Sequence, residues 1–211
     1  MLMANNFKKL WEEFIFQQNL TENQASQFKT YLSMFLEESE KINLTAITSV
    51  QGVISYHFVD SLEIKNFLDL NSIKSICDVG TGGGFPGIPI KILYPHLKLF
   101  LIEVNHKKVR FLQKVIQALN LENVEIIDLD WRTFLRKTTH KIDLFCARAS
   151  LRPDELIRAF SPICHYKDSN IVYWAARGFE PDEKVLPFVE KQDEYKVENK
   201  RRKFVFLSNP T

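Results

Sequence analysis

The segment Asp78-Val79-Gly80-Thr81-Gly82-Gly83-Gly84-Phe85-Pro86-Gly87 holds five of the chain's seven glycines, and it closes a short apolar run, Ser75 to Val79. A helical run, Ile88 to Leu93, comes straight after it. Glycines at such a place let the backbone turn tightly and approach a ligand, while the following helix offers unpaired amides and a positive dipole end. Nineteen residues past Gly84 a second apolar run, Lys98 to Ile102, ends in Glu103, where a carboxylate can accept from both hydroxyls of a ribose. Strand, turn, helix and acid in that order point to a nucleotide-like ligand.

The rest of the chain supplies the frame for such a loop. Val124–Ile127, Ile142–Cys146 and Asn170–Ala175 read as further strands. Val109, Leu112, Val115, Ile116 and Leu119 mark a helix between two of them, and Pro153 opens another where its missing amide costs little. Apolar strands joined by crossover helices predict a mostly parallel sheet covered on both faces. The last two runs, Tyr195–Val197 and Phe204–Leu207, lie too close together for a crossover, so an antiparallel hairpin at the sheet edge is expected. The expected fold is α/β and Rossmann-like, a seven-stranded sheet over residues 71–211 preceded by a helical extension over residues 1–70. Within that extension Thr21-Glu22-Asn23-Gln24 fits a capping box before Phe28, Tyr31, Leu32, Phe35 and Leu36 at helical spacing. A second helix is predicted from Val50 to Leu68, with His57 beside Val53, Ile54, Phe58 and Leu62.

Composition narrows the class. With 45% hydrophobic and 26% charged residues in 211, neither a disordered nor a fibrous chain is expected. No run approaches the roughly 18 apolar residues of a spanning helix, and Lys8 and Lys9 are followed by no apolar leader core, so no membrane association and a cytoplasmic home are expected. Three cysteines without C-x-x-C spacing read as thiols, and His140 and His165 share no ligand spacing with Cys164, so no metal is expected. Residues 1–70 hold five Lys or Arg against nine Asp or Glu, leaving 23 against 17 for the remainder. The basic clusters there, among them Lys107, Lys108 and Arg110, then Arg132 and Arg136, then Lys200 to Lys203, suit a polyanion, with solvated helix faces as the alternative.

Which nucleotide is bound follows from the loop's details. Gly82-x-Gly84-x-x-Gly87 formally matches the dinucleotide fingerprint, but Pro89 lies in the first turns of the helix and Asp78 stands two residues before the first glycine. A pyrophosphate is poorly served by a nearby carboxylate, whereas the cationic amino-acid end of S-adenosylmethionine is attracted by one. An oxidoreductase would also need a hydride-site pair such as Tyr-x-x-x-Lys, and the one such spacing among the six tyrosines, Tyr94 to Lys98, is broken by Pro95 and runs into the second apolar run.

Several runs together, Asn43-Leu44-Thr45, His57-Phe58-Val59-Asp60-Ser61-Leu62, Asp78 through Pro89, Lys108-Val109-Arg110-Phe111-Leu112 and Ala147-Arg148-Ala149, closely resemble the bacterial small-subunit ribosomal RNA guanine-N7 methyltransferase family, the RsmG or GidB group. The resemblance spans about residues 30 to 180 and is most specific in the glycine motif with its two prolines. It implies a class I methyltransferase fold with a helical N-terminal extension. It also implies S-adenosylmethionine as donor and small-subunit ribosomal RNA or a ribosomal particle as partner; a monomer is expected. By the same resemblance Gly80, Gly82, Gly84 and Phe85 face the donor's methionine and adenosine parts, Glu103 its ribose, and the backbone around Trp131-Arg132 its adenine. Arg148 falls on the donor or substrate side of the pocket. Where the family has an Arg-x-Glu segment this chain has Asp130-Trp131-Arg132, and Asp130 can accept from the adenine amino group. The family's Leu-Lys-Gly appears as Ala176-Arg177-Gly178, a planar fork in place of an ammonium.

Guanine N7 carries an in-plane lone pair and no proton, so its methylation needs positioning more than a base, and Arg148 and Arg177 are the candidate catalytic residues. Asn43, His57, Lys107 and Arg110 are candidates for RNA contact, with helix capping the alternative for Asn43 and a satisfied, partly buried histidine the alternative for His57. Two other readings stay open: a donor-binding module with lost or altered catalysis, and a methyltransferase for another acceptor.

Overall fold

The computed structural model describes residues 2–42 and 44–210. Two long helices come first, α1 (Leu2–Gln18) and α2 (Glu22–Ile42). The capping box forms at the start of α2: Gln24 N–H donates to Thr21 Oγ1 at 3.3 Å and Thr21 N–H to Gln24 Oε1 at 3.0 Å. The stretch predicted as one regular helix to Leu68 is instead a composite. It runs as α3 (Val50–Val53), a π-helical Ile54–Val59, α4 (Asp60–Leu62) and a 3-10 turn Glu63–Asn66. A π stretch is rare and re-aims the side chains it carries, here Tyr56 and His57.

The α/β part then alternates as β1 (Ser75–Val79), α5 (Gly87–Leu93), β2 (Lys98–Ile102), α6 (His106–Ala118), β3 (Val124–Ile127), α7 (Trp131–Lys137), β4 (Leu144–Arg148), α8 (Pro153–Leu156) and β5 (Asn170–Ala176). It finishes with β6 (Val189–Val197) and β7 (Lys200–Leu207). The sheet order is β3-β2-β1-β4-β5-β7-β6, with β7 antiparallel to both neighbours. The terminal hairpin therefore stands at the edge as expected, but turned inward: β7 pairs with β5 and only β6 is the margin. The residues explain the order. Phe204, Val205, Phe206 and Leu207 are apolar on both faces and need cover on both, whereas β6 buries only Tyr195 and Val197.

Side-chain alternation divides the core into two layers. Ile76, Leu99, Leu101, Leu144, Cys146, Val172, Trp174 and Phe204 point to the face covered by α2, the composite helix, α5 and α6. Cys77, Val79, Phe100, Phe145, Ala147, Ile171 and Val205 point to the other face, covered by Trp131 and Phe134 of α7 and Leu156 of α8. The N-terminal helices therefore share one core with the sheet: Phe28, Tyr31, Phe35 and Phe58 are each at most 1% exposed. Cys77 and Cys146 are buried, and Cys164 is half-buried.

Candidate functional site

The loop after β1 takes the backbone its glycines permit. Gly80, Gly82 and Gly84 have φ of +65°, +61° and +101°, a region costly for residues with a Cβ. At Gly80 an added Cβ would stand 2.5 Å from Ser150 Cβ, so two loops meet there at closest approach. The N-terminal helices hold the loop from the other side: Tyr31 Oη donates to Gly83 O at 2.6 Å, and Phe35 packs so near Gly83 that no Cβ would fit.

Two carboxylates tie the loop down. Asp78 is fully buried, and its Oδ2 accepts from Thr81 Oγ1 at 2.7 Å and from Gly87 N–H at 2.8 Å. Its Oδ1 is buried with no partner. Burial raises its pKa from 3.8 to about 6, against the lowering effect of the two hydrogen bonds and of Arg148. Glu103 stands just past β2 with 7% exposure, accepting from Gly82 N–H at 3.0 Å and Asn105 N–H at 2.8 Å. An ionised carboxylate has about four acceptor positions, so Glu103 keeps capacity for two hydroxyls.

A cavity of about 210 Å³ opens on one side of Gly80, lined by Glu103, Val104, Leu129, Asp130, Trp131 and Ser150 among others. A second, of about 280 Å³, opens on the other side, lined by Phe35, His57, Phe85, Lys108, Arg148 and Arg202 among others. Gly80 lines both. The first is largely apolar with acids at its wall, and the second gathers three cationic side chains.

The second cavity is organised around a residue absent from the sequence-derived candidates. Asp60 is wholly buried, with Oδ2 accepting from Arg148 Nη1 at 2.9 Å and Oδ1 from Tyr195 Oη at 2.8 Å. Arg202 Nε lies 3.3 Å from the same Oδ1 as an ion pair, without hydrogen-bond alignment. Trp174 Nε1 donates to the Asp60 main-chain oxygen at 3.0 Å, fixing the helix against β5. Arg148, the last residue of β4, also donates to Tyr56 O at 3.2 Å and pairs through Nη2 with His57 Nδ1 at 3.1 Å. A guanidinium can only donate, so Nδ1 accepts, Nε2 carries the proton, and Nε2 donates to Thr45 Oγ1 at 3.0 Å. Burial, then the charges of Arg148 and Arg202, lower the His57 pKa from 6.5 to about 3. His57 is therefore a neutral spacer, stacked on Phe85 with ring centres 4.6 Å apart. Burial and the Asp60 charge raise the Tyr195 phenol, which stays a neutral donor.

The other candidates are placed as follows. Asp130 is exposed and caps α7, with Oδ1 accepting from Thr133 N–H at 3.0 Å and Oδ2 from Thr133 Oγ1 at 2.7 Å. Trp131 is buried, donating through Nε1 to Glu155 O at 2.8 Å. The Arg132 side chain turns away to Glu155. Phe85 lines the cationic cavity, not the apolar one. Arg177 is exposed on the turn after β5 and lines neither cavity, and Lys107 and Arg110 are exposed on α6. Asn43 lies outside the described residues. Among the described residues no group of three His, Cys, Asp or Glu could hold a metal, and no helix is long and apolar enough to cross a membrane. Asp60 has no role of its own among the sequence-derived candidates, and Lys108 and Arg202 figure there only as members of basic clusters. Arg202 had a signal, since it shares the face of Phe204 and Phe206 on β7 and an arginine on that face points inward.

The model of the family described as GidB, rRNA small subunit methyltransferase G, matches residues 24–208. A protein of Lysinibacillus sphaericus named ribosomal RNA small subunit methyltransferase G is 36% identical over 163 residues, covering 76% of this chain and 68% of its own. One of Macrococcus caseolyticus with the same name is 40% identical over 160 residues, covering 75% and 67%. Among solved structures, a mutant of MtNAS in complex with S-adenosylmethionine superposes with a TM-score of 0.57 at 17% identity, covering 95% of this chain and 84% of that one. TrmN from Thermus thermophilus gives 0.52 at 13%, covering 74% and 53%. At these identities the likeness is one of fold.

Proposed function

This chain belongs to the rRNA small subunit methyltransferase G family, and from that premise we propose that it transfers a methyl group from S-adenosylmethionine to N7 of a guanine in small-subunit ribosomal RNA. The observation that carries the proposal is the pair of cavities meeting at Gly80, one apolar with acids at its wall and one cationic. The partner is small-subunit ribosomal RNA or a ribosomal particle, the enzyme works as a monomer in the cytoplasm, and residues 1–70 form the extension to a methyltransferase domain over 71–211.

The donor fits the glycine loop together with the first cavity on three counts, Asp78 lying beneath the loop, Gly82 on its second-cavity side and Glu103 in the wall of the first cavity. Asp78 Oδ1 is a buried acceptor without a partner, suited to the donor's ammonium group. Gly82 has open space where a Cβ would stand. Glu103 can accept from the ribose hydroxyls, and Leu129 and Trp131 offer apolar walls to the adenine, with Asp130 at the rim for its amino group. When bound, the donor supplies an electrophilic methyl on a sulfonium.

The residues of the second cavity do the rest by position and charge. N7 attacks with a lone pair and has no proton to lose, so no base is required, and His57, with its pKa lowered to about 3, is a poor one. Arg148 and Arg202 place two cations beside one carboxylate, leaving the pocket positive toward guanine O6 and N7 or a neighbouring phosphate. Phe85, stacked on His57 and on Tyr31, keeps the wall of the second cavity rigid. Aligning donor and acceptor is worth roughly 7 to 11 kcal/mol in such reactions. Arg177 reaches the substrate only from outside the pocket, as a phosphate contact. The test is transfer of label from methyl-labelled donor to small-subunit RNA, naked and as the subunit from cells lacking this protein. Label on either supports the reading, and donor binding without transfer to either replaces it with the binding-module reading.

A further inference from the structure

Behind the donor cavity, on the sheet face away from the N-terminal helices, α7 and the segment after β4 enclose an open groove of about 560 Å³ that the chemistry above does not use. Its rim is an arginine pair built around one carboxylate. Glu155 accepts from Nε and Nη2 of Arg132 at 2.9 and 2.8 Å, and from Nε and Nη2 of Arg158 at 2.9 and 3.3 Å. Two guanidiniums left alone would separate; bridged from behind, they are held side by side with a net positive charge. Each spends two of its five N–H groups on Glu155 and keeps three. One turn along α7, the Arg136 guanidinium makes a single hydrogen bond, to Thr133 Oγ1 at 3.4 Å, and has no carboxylate within 4 Å among the described residues. The floor is apolar: Leu135 lines it, and Ile163 is 96% exposed, an unusual position for a large aliphatic side chain.

We infer that this groove is a second RNA-docking surface, in which Arg132, Arg136 and Arg158 hold backbone phosphates and an unstacked base lies on Leu135 and Ile163. Charge complementarity selects the occupant: three cations against Glu155 and the nearby Asp130 leave a net positive rim that suits a polyanion, and fixed guanidinium forks suit phosphate oxygens. The apolar floor adds what a free phosphate does not use and a nucleotide does. Arg132 directly follows Trp131 in the donor cavity wall, so a strand lying here runs past the site and not remote from it. The inference rests on the ribosomal RNA reading.

The test uses the full chain with a small-subunit ribosomal RNA fragment, measuring binding across a salt series for the wild type, Arg136→Ala/Arg158→Ala and Ile163→Ala. Deleting one phosphate-binding cation lowers the slope of log affinity against log salt by about 0.7 to 0.9, so the double variant should lose about 1.5. Ile163→Ala should weaken binding several-fold with the slope unchanged. Donor affinity and the rate at saturating RNA should stay at wild-type values. An unchanged slope and affinity overturn the inference. So does weakened action on the assembled subunit with naked RNA unaffected, which assigns the groove to a protein partner. Loss of donor binding with a lowered melting temperature also overturns it, making the arginines braces of α7. Because the readout is RNA binding, failure of the methyltransfer reading would show separately, as a wild type that binds RNA and transfers nothing.

Discussion

Asp60→Ala is the perturbation with the largest calculable consequence. The carboxylate is wholly buried and accepts from Arg148 and Tyr195 at 2.9 and 2.8 Å, with Arg202 Nε at 3.3 Å. Removing it leaves two guanidiniums facing each other with no counter-charge and a buried phenol with no acceptor. Their side chains are only 10% and 24% exposed, so water compensates little. Breaking a buried pair from one side costs about 3 to 5 kcal/mol. For a chain of this length each kcal/mol shifts the melting temperature by about 2 to 4 °C, giving a fall of about 6 to 20 °C. Urea denaturation measures the free energy and calorimetry the temperature. Asp60→Asn keeps the shape and one acceptor and should lose less. A loss under about 1 kcal/mol for Asp60→Ala would refute the reasoning, because the network would then be no more than a surface ion pair.

Further outcomes follow from the same geometry. His57, with a pKa of about 3 when folded and 6.5 unfolded, makes the unfolded chain bind more protons, so stability falls as pH drops below about 6.5, by about 1.4 kcal/mol per unit. Asp78, about 6 folded and 3.8 unfolded, acts oppositely, with stability falling as pH rises from about 4 to 6. The two slopes offset in that window: urea titrations at pH 4.5 and 6 should show His57→Gln more stable at the lower pH and Asp78→Asn more stable at the higher. Donor affinity should weaken as pH falls below about 6 and lose that dependence in Asp78→Asn, as calorimetric titration would show. Gly80→Ala forces a Cβ to 2.5 Å from Ser150 at φ +65° and should cost more than about 1 kcal/mol and at least tenfold in donor affinity. Glu103→Ala loses acceptor bonds to Gly82 and Asn105 as well as the ribose contact, and should weaken donor binding about 10- to 100-fold in the same titration.

How much of this is legible in the sequence depends on the range of the interaction. Period-two and helical patterns locate the strands and most helices, because those patterns record which face is buried. Asp78, the glycines and Glu103 are legible because they lie close in sequence and their order is the signal. The cationic cavity is not. Its parts, Asp60, Arg148 and Arg202, come from the composite helix, β4 and β7, and only the insertion of β7 between β5 and β6 brings them together. Taken as an edge run, Lys200 to Lys203 reads as solvated charge; on an internal strand, Arg202 faces the core. The π stretch that turns Tyr56 and His57 toward Arg148 likewise leaves no mark in apolar periodicity. Arg132 is placed near the donor by its neighbour in sequence, whereas Glu155, 23 residues away, holds its side chain elsewhere.

Methyl transfer to guanine N7 is tested most directly by the identity of the methylated nucleoside after reaction of the purified protein with labelled donor and the small subunit from cells lacking it. All label should be released as N7-methylguanine, and Arg148→Ala should lower the rate at saturating donor while donor affinity holds. Label on a ribose hydroxyl or an exocyclic amine, or on N7 at an undiminished rate in Arg148→Ala, would contradict this mechanism.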